Sequence, residues 1–228
     1  MDISKKRKFL EKVTHPSWWA KLTPLVDDER FDKILVEYAH CKKNGINVFP
    51  EIGAMLNPFK FTIRSKLRVC ILGQDPYPQR GKATGLAFAN DPLIEGRLSP
   101  SLNIIIEELV RDLRINEFDF YDKVDLFHWT KQGVLLLNSA LSVRENDIGS
   151  HSHLWRYFIK EVVDTLPRNV IKVAVGSKAK ALMPNADVRT YHPAADIYSG
   201  SKLFRGSSVF TKINNGLVNN GLETINWE

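Results

Sequence analysis

The sequence predicts an α/β fold of three layers, α/β/α, with a central, mostly parallel four-stranded sheet. Two observations lead there. The short apolar runs at residues 69–72 and 134–137, and the segments 170–175 and 188–191, have the length of strands, and each runs into polar residues. Between them lie longer stretches with apolar residues three and four apart, the spacing of a helix with one buried face. Parallel strands need crossover connections, and helices are the usual ones.

Taken in order, the chain opens on the basic run Lys5-Lys6-Arg7-Lys8, and residues 1–16 are expected to form a flexible basic arm. Trp18-Trp19 would anchor that arm to the body. Phe31, Ile34, Leu35 and Tyr38 mark a first helix, stopped by Asn44-Gly45. The strand at 69–72 comes next. Leu102, Ile105, Ile106, Leu109 and Leu113 form a helical stripe behind Ser99-Pro100-Ser101, and the strand at 134–137 follows it. Trp155, Phe158, Ile159, Val162, Val163 and Leu166 form another stripe, ahead of the strands at 170–175 and 188–191. Aromatic residues at helical spacing belong to the core, so none of these stripes is read as a base-stacking platform.

With 228 residues, 43% of them hydrophobic, the chain can bury a substantial core, and a single domain over 1–228 is expected. Cys41 and Cys70 fall in a helical and a strand pattern and form no close-spaced pair, which argues against a disulfide scaffold or a structural zinc site. His151 and His153 resemble a metal pair without a third ligand at suitable spacing and are expected at the surface or a helix entry. No apolar run reaches the roughly 20 residues needed to span a bilayer, and no secretory core is seen, so a soluble intracellular protein is expected. A net charge of +6 fits contact with a polyanion without requiring it.

The chemistry gathers where the strands end. The first strand runs into Gly73-Gln74-Asp75-Pro76-Tyr77, with Gly85-Leu86-Ala87-Phe88 beyond; the others run into Asn138-Ser139, Gly176-Ser177 and His192-Pro193. In open α/β sheets ligands bind beyond the carboxyl ends of the strands, so Asp75, Asn138, Ser177 and His192 are expected to converge. Asp75 is a turn residue by its local context, or a carboxylate that positions water and steadies positive charge. His192 opposite it would stabilise a developing anion, and such a pair suits cleavage of a glycosidic bond. Asn138 is either a core amide bonded to backbone or a reader of an amide-like edge. Phe88 and Tyr77 are core rings or the walls of a slot for a flat heterocycle. Ser101 and Ser177 stand at helix starts, where a cap and a phosphate contact are compatible roles.

These motifs resemble the family 1 uracil-DNA glycosylases, the Ung type. The pieces are Gly73-Gln74-Asp75-Pro76-Tyr77, Gly85-Leu86-Ala87-Phe88, Pro100-Ser101-Leu102, residues 133–138, Gly176-Ser177 and His192-Pro193, in the family's order, with flanking similarity from Ser17-Trp18 to Ile225-Asn226-Trp227. The resemblance implies a monofunctional hydrolase of base excision repair that flips uracil out of DNA and cuts its N-glycosidic bond, leaving an abasic site. The alternative is a non-catalytic DNA-binding or replication-accessory protein on the same fold. The resemblance further implies that Asp75 orients the water, Phe88 stacks on uracil, Asn138 reads its O4 and N3–H edge, and Gln74 holds the ring by its backbone. Tyr77 would exclude a C5 methyl group, His192 would donate to O2, and Ser101 and Ser177 would grip the DNA backbone. No metal or organic cofactor is implied. The implied partners are uracil-containing DNA, single- or double-stranded, and a DNA-mimicking inhibitor protein, met by a monomer in the cytoplasm of a bacterium or in a nucleus or viral factory.

The sequence departs from the family's pattern in two places. Pro78 follows Tyr77 where the family has His. The family's His-Pro-Ser-Pro-Leu-Ser loop reads His192-Pro193-Ala194-Ala195-Asp196-Ile197, which puts Asp196 in place of the leucine wedge and leaves Ile197 and Tyr198 as substitutes. The segment 200–210 is longer than usual and offers Lys202 and Arg205 to phosphate.

Overall fold

The computed structural model describes residues 2–93, 98–115 and 123–228. In chain order these contain α1 (Ile3–Val13), α2 (Trp19–Asp27), α3 (Glu29–Lys43), β1 (Val48–Phe49), α4 (Asn57–Phe61), β2 (Val69–Gly73) and α5 (Pro100–Leu113). They continue with α6 (Phe127–Lys131), β3 (Val134–Asn138), β4 (Val143–Arg144), α7 (Ser152–Asp164), β5 (Ile171–Val175), α8 (Ser177–Leu182), β6 (Val188–Thr190), α9 (Ala194–Ser199) and α10 (Val209–Asn219).

The central sheet has the order β3-β2-β5-β6, and every pairing in it is parallel. Side chains of a strand alternate between faces, and here the two sets enter two different cores. Cys70, Leu72, Leu135, Leu137 and Ala174 face a cluster built with α1, α2, α3 and α7, centred on Leu22, Phe31, Trp155 and Phe158. Val69, Ile71, Val134, Leu136, Val173 and Val175 face a second cluster with α5, α6 and α10, including Leu109, Trp129, Phe210 and Trp227. Strands buried on both faces are apolar, which is why β2 and β3 appear as unbroken runs in the sequence, whereas β5 admits Lys172 and the edge strand β6 exposes Arg189. The expected layers are therefore present, and the aromatic stripes are core as anticipated. A small antiparallel pair, β1 with β4, lies outside the main sheet; two-residue strands carry too little pattern to be read in advance.

Residues 3–13 correct the expectation of a flexible arm. Lys6, Leu10 and Val13 recur at helical spacing and are all buried, and the Lys6 ammonium sits 2.8 Å from Asp32 and donates to the Asp27 carbonyl at 3.2 Å. A lysine stem packs as apolar surface once its head finds a carboxylate. Arg7 adds a fork onto Asp27. Trp18 is buried, donates from its indole to Thr62 O at 2.7 Å and meets Phe59 edge-on, as an anchor should. No helix among the described residues is long and apolar enough to cross a membrane.

Parallel pairing puts all four strand ends on one edge. Gly73 is the register partner of Asn138, and Val175 of Thr190, so Gln74-Asp75, Ser139, Gly176 and Tyr191-His192 leave the sheet side by side.

Candidate active site

A cavity of about 370 Å³ opens at this edge, with Gln74, Asp75, Tyr77, Phe88, Asn138 and His192 in its wall. Gly73 makes its floor possible. A Cβ there would lie 2.8 Å from Asn138 Oδ1 and 3.0 Å from Phe88 Cζ, so only glycine lets the ring and the amide meet over the end of β2. Phe88 itself takes a left-handed backbone conformation (φ 68°), a costly choice for an aromatic residue that neighbouring bonds hold in place. Its carbonyl accepts from the Tyr77 hydroxyl at 3.0 Å, and Ala87 N–H donates to Leu136 O at 3.2 Å. Burial pushes the Tyr77 phenol far up, so it stays a neutral donor and its ring stays a fixed wall.

Asp75 has a 4% exposed side chain, yet both oxygens are engaged. Gln74 Nε2 donates to Oδ2 at 3.1 Å, Lys178 Nζ lies 3.2 Å from the same oxygen, and Ser152 Oγ reaches Oδ1 at 3.4 Å. His192 lies across the cavity, its ring centroid 5.9 Å from that of Phe88. Desolvation lowers its pKa, and the nearby Asp75 carboxylate opposes this only in part, so the ring is neutral at pH 7. The backbone fixes its tautomer: Ala194 N–H donates to Nδ1 at 3.2 Å, so Nδ1 is an acceptor and the single ring proton resides on Nε2. Gly176 (φ 88°) gives the ring room, since a Cβ there would come within 3.1 Å of His192 Cβ.

The remaining expected residues divide. Ser101 is buried in the cavity wall on the second residue of α5, while the N-cap position belongs to Ser99. Ser177 opens α8 behind Gly176 and is exposed, outside the cavity lining. Lys202 is exposed on the following loop. Arg205 was expected to face phosphate, but its guanidinium is ion-paired with Glu107 and, at 3.3 Å, with Asp196. Two carboxylates already neutralise it, so it is withdrawn from the set of DNA-backbone residues.

Asp196 does not project toward a duplex as its alignment with the wedge implied. Its side chain is fully buried and accepts the backbone N–H groups of Leu203, Phe204 and Arg205 at 2.7, 2.6 and 3.0 Å. Those bonds hold its carboxyl below the usual range in spite of burial. Ile197 and Tyr198, 51% and 85% exposed, are the apolar residues that α9 presents at the mouth of the cavity.

Sequence reasoning also missed the supports. Buried Glu108 accepts Gly206 and Ser208 N–H at 2.6 and 2.7 Å, and Asp112 accepts Phe210 and Thr211 N–H at 3.0 Å each, which seats the loop and the start of α10. The only advance signal was two acidic residues in an apolar helical stripe. His151, expected at a surface or helix entry, is the N-cap residue of α7 and is 1% exposed. Its Nδ1 contacts Ser142 Oγ at 2.8 Å, and its Nε2 stands 3.5 Å from Glu37, which also takes the Arg144 guanidinium and the Cys41 thiol. This knot joins β4 to α3, with Arg144 supplying the countercharge.

The cavity thus gathers a buried carboxylate, an imidazole with its proton on Nε2, an aromatic ring and an amide at the carboxyl edge of a parallel sheet. The sequence model described as "Uracil DNA glycosylase superfamily" matches residues 59–218. Among curated relatives, the uracil-DNA glycosylase of Campylobacter hominis is 37% identical over 199 residues, covering 82% of this chain and 81% of its own. That of Campylobacter concisus is 35% identical over 221 residues, 93% of each. Of solved structures, mimivirus uracil-DNA glycosylase superposes with a TM-score of 0.81 at 22% identity, over 100% of this chain and 89% of its own. The UNG of Nitratifractor salsuginis gives 0.62 at 20% identity, over 92% and 98%. A mimivirus variant has been solved in complex with UGI. The chain belongs to the uracil-DNA glycosylase superfamily, N-glycosyl hydrolases of DNA repair.

Proposed function

We propose that this chain extrudes deoxyuridine from DNA and hydrolyses its N-glycosidic bond. The observation that carries the reading is the meeting of Asp75 and His192 in one cavity with Phe88, Asn138 and Tyr77. In the proposed step the N1–C1′ bond breaks and its electron pair passes to the uracil ring, where O2 carries much of the charge. His192, with its proton on Nε2, donates a hydrogen bond to that oxygen; as a neutral imidazole it stabilises the anion without handing over a full proton. Asp75 offsets the positive charge on the sugar and orients a water, whose oxygen bonds to C1′ and whose proton leaves by way of the carboxylate.

Phe88 stacks on the ring, and Asn138, held at the register partner of Gly73, presents acceptor and donor to the O4 and N3–H edge. The Gln74 backbone borders the same ring, and Tyr77, locked by its bond to Phe88, fills the space at C5. Ser101, Ser177 and Lys202 contact the DNA backbone, and Ile197 or Tyr198 fills the space that the extruded nucleotide vacates. The chain acts as a monomer, and a DNA-mimicking inhibitor protein would compete for the same mouth.

The test is incubation with a uracil-containing oligonucleotide in EDTA followed by alkali. Strand scission at the uracil is expected, and Asp75→Asn is expected to slow it by roughly 10³-fold with DNA affinity retained. Salt-dependent DNA binding without base release, unchanged by Asp75→Asn, would replace this reading with that of a non-catalytic DNA-binding protein.

A further inference from the structure

We propose that Lys178 is a shared counter-ion, paired with Asp75 in the free protein and transferred to a DNA phosphate when a strand is seated. The inference rests on the proposed glycosylase reaction and assigns a positioning residue to it. Lys178 follows Ser177 on α8, and its Nζ stands 3.2 Å from Asp75 Oδ2. The two side chains differ sharply in exposure, 39% for the lysine and 4% for the aspartate, so the cation reaches a buried carboxylate from the solvent side. The Gly149 turn lies beside it: a Cβ at Gly149 would come within 2.9 Å of Nζ.

Asp75 does not need this cation for its orientation. Gln74 Nε2 bonds Oδ2 and Ser152 Oγ approaches Oδ1, so neutral groups already address both oxygens. In the reaction, however, the carboxylate is required to face a developing positive charge on the sugar, and an ammonium at ion-pair distance cancels the field that does this. The reacting complex therefore favours Lys178 elsewhere. Its four-carbon stem is flexible and its ammonium is a point charge suited to phosphate. A strand held at Ser177 brings phosphate to the residue that precedes Lys178 on α8. Seating DNA would then draw the cation away and uncover the charge of Asp75 in a single movement, tying the strength of the catalytic carboxylate to the presence of substrate.

The experiment compares the full chain with Lys178→Gln, Lys178→Met and Lys178→Arg on a single-stranded uracil oligonucleotide, measuring affinity across a salt series and single-turnover release at saturating protein. Gln and Met are expected to weaken binding and to reduce the slope of log K against log salt by about 0.7, the share of one phosphate contact on a single strand. Their saturated rate is expected to equal or exceed that of the parent, and Lys178→Arg is expected to restore the salt slope. An unchanged slope would overturn the proposal, as would a fall of about tenfold or more in saturated rate, which would mean that the ammonium serves Asp75 in the reacting complex. Failure of the parent chain to release uracil would refute the glycosylase reading itself, before any variant is compared.

Discussion

Asp196→Leu separates two accounts of the loop after His192. If position 196 were a wedge facing DNA, leucine there would restore the family's residue and improve activity. The structure demands the opposite. The Asp196 carboxylate is fully buried and holds the N–H groups of Leu203, Phe204 and Arg205 together with the Arg205 guanidinium. Replacing it strands those donors and leaves Arg205 with Glu107 alone. Removing one partner of a buried ionic cluster costs about 3–5 kcal/mol. In a protein of this size each kcal/mol lowers Tm by roughly 2–4 °C, so a drop on the order of 10 °C is expected if the loop unfolds with the body. If the loop detaches alone, the loss is smaller and new protease cleavage in residues 196–206 accompanies it. The pH dependence follows the same bond set. Because the folded pKa lies below the ordinary carboxylate value, the stabilisation is complete above about pH 4 and fades as pH falls through the folded pKa. The difference between parent and Asp196→Leu should therefore shrink under strong acid. Calorimetry at pH 7, limited proteolysis and uracil release form the assay. An unchanged Tm with unchanged protease resistance and faster release would refute the reasoning.

Gly73→Ala should fold, yet lose activity by about 10²-fold or more, because its methyl group must displace Asn138 Oδ1 and the Phe88 ring; parent-like kinetics would show that the floor has slack. Tyr77→Ala should open the space at C5 and confer measurable thymine release, read with a thymine-containing oligonucleotide, whereas unaltered base choice would remove Tyr77 from the specificity wall.

The sheet and the chemical residues were legible because their determinants are local. An unbroken apolar run announces the doubly covered strands β2 and β3, the polar residue after each strand leaves at its carboxyl end, and parallel pairing, extended to the less apolar edge strand β6, delivers Asp75, Asn138 and His192 to one edge. The misread residues depend on partners far along the chain. Glu108 and Gly206 are 98 positions apart, as are Arg205 and Glu107, and no periodicity reveals such pairs. Lys6 shows the same limit in another form: a basic run has the composition of a solvated arm, and only the presence of Asp32 across the fold makes its burial favourable. The histidine tautomer was equally hidden, since it follows from a backbone N–H placed by the turn at Ala194.

These two classes of residue bear on different parts of the proposed reaction. Orientation of the base and the charges around it depends on strand ends and on close approaches at Gly73 and Gly176, where a displacement of half an ångström would matter. In that proposal the grip on DNA is divided instead among the helix starts at Ser101 and Ser177, α9 and the loop behind it, where phosphate and a vacated stack tolerate more than one solution. A hydroxyl absent at Ala194 still leaves the N–H that sets the imidazole, and a carboxylate at Asp196 still anchors the loop, because it accepts three backbone donors from within. The exposed Ile197 and Tyr198 follow Asp196 on α9 and line the cavity. The departures from the family's loop thus form one coherent construction, in which an internal carboxylate supports the apolar residues beside it.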